Sequence, residues 1–111
     1  MVGAKAGLAP AVFDRVISGG RMDCPFYQTF RKYVIERDRN AHRFTLANAL
    51  KDVSYLAGFA QALGVANPVG AAVRNSFAQA VATGHGDDYV PMLSDWVAEW
   101  NGASLAPKAG A

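Results

Sequence analysis

The chain of 111 residues has one cysteine, Cys24, so no disulfide can close within it, and a reducing compartment is the expected setting. Histidine is almost as scarce, with two in all, and neither stands at ligand spacing from the cysteine, which leaves zinc without a donor set. No apolar run approaches the roughly 18 residues of a membrane span. The opening MVGAKAGLAP lacks the long apolar core of a secretory leader. An excess of one charge is missing too. Eleven basic residues face nine acidic ones, a net charge of +2. That balance requires neither nucleic acid nor an anionic membrane as partner. A helix-turn-helix reader would need its basic residues on one recognition helix, yet the fourth helix predicted below carries only Arg74. Alternating strand patterns, internal repeats and linkers are absent. The expectation is a cytoplasmic protein that binds neither membrane nor nucleic acid.

What is present is apolar. The composition is 51% hydrophobic and 18% charged, as for a globular core in a chain the size of one domain. The pattern centres on Phe44 to Gly64, FTLANALKDVSYLAGFAQALG. Leu46, Leu50, Val53, Ala57 and Ala60 recur three or four apart and line one helical face. Ala49, Leu56 and Leu63 widen that stripe, which predicts a central helix packed on more than one side. Lys51 and Asp52 interrupt it. Neighbours on a helix point about 100° apart, so the two are not expected to pair along one face. Each should meet water, another helix or something outside the chain.

Other elements follow from punctuation. Pro10 opens a short helix to about Ser18, with Val12, Phe13, Val16 and Ile17 on its apolar side. Gly19-Gly20 stops it. Asp23 or Cys24 caps a second helix that starts at Pro25 and ends near Arg37. Glu36 to Arg43 is a charged loop. After Gly64, the C-cap of the central helix, Asn67-Pro68 begins a fourth helix running to about Thr83. Gly84-His85-Gly86 breaks it, and a last helix covers about Asp88 to Trp100. The fold class is therefore all-α, a compact multi-helix bundle. Residues 1–6 form a lead-in, 7–101 the helical domain and 102–111 a loosely held tail.

Few residues offer chemistry. Gly84-His85-Gly86 starts like a dinucleotide loop, but it lies between helices and has no third glycine, so it reads as a turn. Cys24 with His42 or His85 would make a nucleophile and base only if the fold joined them. Arg31, Lys32, Arg37, Arg39 and Arg43 could meet an anion, yet Glu36 and Asp38 interrupt them, as on an ordinary solvated face. Lys51 and Asp52, at the edge of an apolar helix, are the sharpest candidates for a site that takes an anionic substrate or cofactor. The plainer reading is a rim lysine with a buried stem and a wet amine.

The series Phe44, Lys51-Asp52, Gly64, Pro68 and Gly84-His85-Gly86-Asp87-Asp88 resembles the C-terminal domain of the β-hydroxyacid dehydrogenase family, in order and spacing. That family includes 3-hydroxyisobutyrate dehydrogenase, tartronate semialdehyde reductase and relatives of 6-phosphogluconate dehydrogenase. Gly7-Leu8-Ala9-Pro10 and Ile17-Ser18-Gly19-Gly20 resemble its opening, and the likeness covers about Ala6 to Trp100. The resemblance implies the substrate and oligomerisation domain of an NAD(P)-dependent enzyme that transfers hydride on a small 3-hydroxy acid or its semialdehyde. It implies that Lys51 contacts the cofactor, NAD or NADP, while Phe44 and Asp52 line the active site. A homo-oligomer and a Rossmann domain of the same enzyme are the implied partners.

This sequence departs from the family by lacking Gly-x-Gly-x-x-Gly and the Gly-x-x-x-Lys-x-x-Asn signature of the catalytic lysine. No catalytic residue is therefore assigned within it. The chain alone is expected to be inactive and to hold no cofactor. The other reading is a stand-alone, non-catalytic helical module for interaction or dimerisation.

Overall fold

In the computed structural model, residues 1–107 are described. They form six α-helices and no strand: α1 (Val2–Lys5), α2 (Pro10–Ile17), α3 (Pro25–Glu36), α4 (Leu46–Ala62), α5 (Pro68–Ala82) and α6 (Leu93–Trp100). A 3-10 turn, Val90–Met92, leads into α6. The all-α reading holds. No helix among the described residues is long and apolar enough to cross a membrane.

Local chemistry explains the boundaries. Proline opens α2, α3 and α5, where a missing N–H breaks no intrahelical bond. Cys24 caps α3, its Sγ accepting from the N–H of Tyr27 at 3.4 Å. Asn67 precedes α5, but its side chain makes no cap bond. Gly64, Gly84 and Gly102 sit at φ of 66°, 95° and 62° just past α4, α5 and α6. After α4, the Val65 N–H reaches the Ala60 carbonyl at 2.8 Å and that of Gly64 reaches Gln61 at 3.1 Å, the two bonds of a Schellman stop. α3 also ends on a left-handed residue, Arg37 at φ 58°, but with other bonds: the Arg37 N–H reaches the Tyr33 carbonyl at 3.0 Å and that of Asp38 reaches Lys32 at 3.1 Å.

One boundary differs from the sequence reading. Asp88 to Met92 does not join the last helix. Pro91 has no N–H to give an α-helical ladder, and these residues form an extended segment and the 3-10 turn. Residues 1–6, the expected lead-in, contain α1. Within the expected tail, Leu105 is buried, while residues 108–111 lie outside the described residues.

The chain forms two compact units. The first comprises Met1–Arg43 and the described residues from Ser94 to Pro107. Two polar clusters tie its helices. Asp14 of α2 accepts from Ser18, Tyr27 and Arg31 at 2.6, 3.0 and 3.0 Å. Asp95 of α6 accepts from Tyr33 at 2.6 Å and from Arg37 at 2.8 and 3.0 Å. Tyr33, Ala98 and Leu105 are its buried apolar residues. An apolar groove of about 590 Å³ runs along Val2, Leu8, Phe13, Val16 and Phe30.

The second unit is Phe44–Leu93. Here α4 packs on α5, and Arg74 donates to Ser54 at 2.9 Å. Ala47, at the start of α4, lies near Val81, at the end of α5, with Gly86 beside both, so the pair is antiparallel. The core comprises Leu46, Ala49, Ala60, Ala80, Val90, Pro91 and Met92. α4 is not packed all round as its wide apolar stripe predicts. Tyr55, Leu56, Phe59 and Leu63 stay exposed, Phe59 at 65%. Within this unit α5 is the helix that packs on it.

Candidate functional site

Phe44, Lys51 and Asp52 all lie in the second unit, at the N-terminal end of α4. Thr45 caps this end, its hydroxyl accepting from the Asn48 N–H at 3.2 Å. Phe44, just before the cap, is partly exposed. Its carbonyl accepts from the Val90 N–H at 2.9 Å. The side chains of Lys51 and Asp52 are 53% and 56% exposed.

One expectation fails here. Lys51 Nζ stands 3.6 Å from Asp52 Oδ1, so the two neighbours do pair. The 100° offset applies at Cβ, and the four-carbon lysine stem is long enough to swing back across it. With both groups more than half in water, the contact is worth about 0–1 kcal/mol. An incoming anion would displace Asp52 at little cost. The groove of the first unit is lined by none of these three residues. Lys51 and Asp52 form an exposed, loosely held ion pair that an anionic ligand could reach from solvent.

The Gly84–Asp88 segment converges on the same end. Gly84 is the left-handed stop of α5, as a turn requires. Asp88 and Gly86 then offer their carbonyls to the N–H groups of Leu46 and Ala47, at 2.8 and 2.9 Å. His85 Nδ1 lies 3.5 Å from Asp88 Oδ2 within this turn. Of the motif pieces quoted for the resemblance, Phe44 and Gly84–Asp88 meet at this end of α4, while Gly64 and Pro68 lie beyond its C-terminal end and residues 7–20 belong to the first unit. Sequence reasoning missed Thr45 as cap and missed this loop-to-helix docking. Thr45 stands immediately before the apolar periodicity and was the available signal.

The remaining candidates have structural tasks. Cys24 is a helix cap. His42 packs edge-on to Phe26 at 5.6 Å and beside Phe30 at 5.5 Å. In the basic run, Arg31 bonds Asp14 and Glu36, and Arg37 bonds Asp95. Among the described residues, no group of three or more His, Cys, Asp or Glu could hold a metal.

Electrostatic shifts concentrate in the first unit. The Ser18 hydroxyl holds the Asp14 carboxyl below its ordinary value, helped by Arg31 and Tyr27 against desolvation. Gln28 and the Gly19 N–H do the same for Asp23. Burial pushes the Tyr27 phenol up to about 12, with Asp14 adding to the shift. These groups fasten α2 to α3 and neighbour none of the three candidate site residues in sequence.

Comparison with known proteins gives this geometry a family. The model of a family described as "NAD-binding of NADP-dependent 3-hydroxyisobutyrate dehydrogenase" matches residues 1–94. The crystal structure of 3-hydroxyisobutyrate dehydrogenase from Salmonella typhimurium is similar to the fold, with a TM-score of 0.74 at 22% identity. The similarity covers 83% of this chain and 32% of that one, so this chain spans about a third of the relative's length. No curated protein matches. The chain belongs to the NADP-dependent 3-hydroxyisobutyrate dehydrogenase family of NAD-binding domains, within the β-hydroxyacid dehydrogenases.

Proposed function

We propose that this chain supplies one wall of the cofactor and substrate site of a cytoplasmic NAD(P)-dependent β-hydroxyacid dehydrogenase, and that it is inactive alone. The reaction interconverts the hydroxyl of a small 3-hydroxy acid and the matching semialdehyde. A nicotinamide cofactor supplies the hydride acceptor when bound. A Rossmann domain of the same enzyme supplies the pyrophosphate cradle and the general base, for which this sequence has no motif.

The observation that carries this reading is the exposed Lys51, on a family-matched domain, on the same capped helix end as Phe44. An ammonium that stays wet and is loosely held by Asp52 suits an anionic cofactor or a carboxylate substrate, because little is lost when the ligand replaces Asp52. Phe44 offers an apolar wall, and Asp52 orients the ammonium before the ligand arrives. The proposal is tested on the gene product from its native host by titrating NADPH and following nicotinamide fluorescence. Lys51→Ala should weaken binding about tenfold, the effect of losing one charge-assisted contact. Equal affinity of wild type and variant would overturn the role of Lys51.

Self-association is part of the proposal, and it equally fits the second reading, a non-catalytic interaction module. No charged residue stands between Asp52 and Arg74, and Tyr55, Leu56, Phe59, Leu63, Val65 and Val69 are all exposed. A surface with no charge to complement fits a second copy of itself better than a charged partner.

A further inference from the structure

We propose that the Gly86–Val90 segment is the positioning element of the candidate site, and Asp88 its positioning residue. This rests on the reading of Lys51 and Phe44 as site residues and adds what sets their places.

A helix begins with N–H groups that have no intrahelical partner, and that end is ordinarily open to anions. In α4 all three N–H groups of the first turn are taken. Leu46 donates to the Asp88 carbonyl at 2.8 Å, Ala47 to the Gly86 carbonyl at 2.9 Å, and Asn48 to the Thr45 hydroxyl at 3.2 Å. The next, Ala49, already donates to the Thr45 carbonyl at 2.9 Å. The helix end is therefore closed. A phosphate or carboxylate that binds this part of the unit meets Lys51, one helical turn beyond Ala47, and not the backbone.

The same segment holds Phe44. Thr45 and Tyr89 form an antiparallel bridge, and Val90 donates back to the Phe44 carbonyl at 2.9 Å. Residues 86–90 thus run against 44–47 with bonds passing in both directions. The segment is fixed from behind. The His85 N–H reaches the Ala80 carbonyl at 2.9 Å, and that of Asp88 reaches the His85 carbonyl at 3.1 Å. Asp88 has a double engagement: its carbonyl receives Leu46 while its carboxylate lies 3.5 Å from His85. It touches no ligand in this account and acts through the direction it gives α4. Gly86 provides a control, because an added Cβ there would make ordinary contacts with Ala47 and Val81 at 3.6 and 3.7 Å.

The test is amide hydrogen exchange, read by NMR on the full chain, together with a titration by inorganic phosphate. In the wild type, the Leu46 and Ala47 amides should be as protected as Leu50 and Ala57 inside the helix, and phosphate should not shift them. Asp88→Ala keeps the carbonyl that receives Leu46 but removes the carboxylate beside His85 that holds the turn, and should speed exchange at Leu46 and Ala47 about tenfold relative to the Phe59–Leu63 amides. Gly86→Ala should leave both unchanged. Fast exchange at Leu46 and Ala47 in the wild type, or phosphate shifts at those amides, would overturn the proposal without any variant having to fold. Equal acceleration along all of α4 in Asp88→Ala would also overturn it, since a merely structural residue acts globally. Protected amides with a Lys51 side chain indifferent to phosphate would support the clamp and count against the cofactor reading alone.

Discussion

Asp14 shows how a single carboxylate can organise part of this chain. It accepts from Ser18 one turn on, and from Tyr27 and Arg31 on the next helix. Its folded value lies below the ordinary 3.8. A depressed folded value means that the stabilisation is complete above 3.8 and is lost as pH falls through the lower folded value. Asp14→Asn should therefore flatten the acid limb of stability against pH, read as urea midpoints from neutral pH to below 3.8. Tyr27 acts at the other end. Its stabilisation is present below 10.0 and is lost as pH rises through about 12. Tyr27→Phe should flatten the alkaline limb in the same series. Asp95, which receives both Tyr33 and Arg37, is the other hub. Asp95→Ala should cost about 1–3 kcal/mol by urea unfolding, because it strands the hydroxyl of the buried Tyr33 and the half-buried Arg37 guanidinium.

Helix stops and starts decide most of the elements, and here the sequence was readable. Pro10, Pro25 and Pro68 begin helices, and Gly64 and Gly84 end them, because ring closure and a missing Cβ act within a turn of where they stand. Gly64→Ala should cost about 1 kcal/mol in urea unfolding, since φ of 66° strains any residue with a Cβ. What was not readable depends on partners far along the chain. Asp95 lies 62 positions from Tyr33 and 58 from Arg37, and no local pattern announces that cluster. Arg37 takes a position that glycine fills after α4, α5 and α6, and its bond to Asp95 explains a side chain there. At the candidate site, Phe44, Lys51 and Asp52 stood out in the sequence. The docking of the Gly86–Val90 segment on Phe44 and the start of α4 did not, because main-chain carbonyls leave no mark on composition. The contact between Lys51 and Asp52 was missed because helical geometry was applied to the backbone and not to the reach of the stem.

Across the whole molecule, polar clusters fasten the first unit, while an uncharged stretch from Val53 to Val73 marks the second. Exposed apolar area of this kind favours association. Sedimentation equilibrium should show a dimer or larger assembly, and Phe59→Glu should return the monomer by placing a charge on that face. A wild type that stays monomeric would remove the oligomer from this account. The central claim is that the chain serves an NAD(P)-dependent dehydrogenase, and it faces its most direct test in the protein isolated from the native host with an antibody to this domain. That protein should reduce NADP or NAD when given 3-hydroxyisobutyrate or a related small 3-hydroxy acid, and lose most of that activity in Lys51→Ala. Native protein that binds neither nucleotide and oxidises no 3-hydroxy acid would contradict the claim and leave the helical interaction module as the account of this chain.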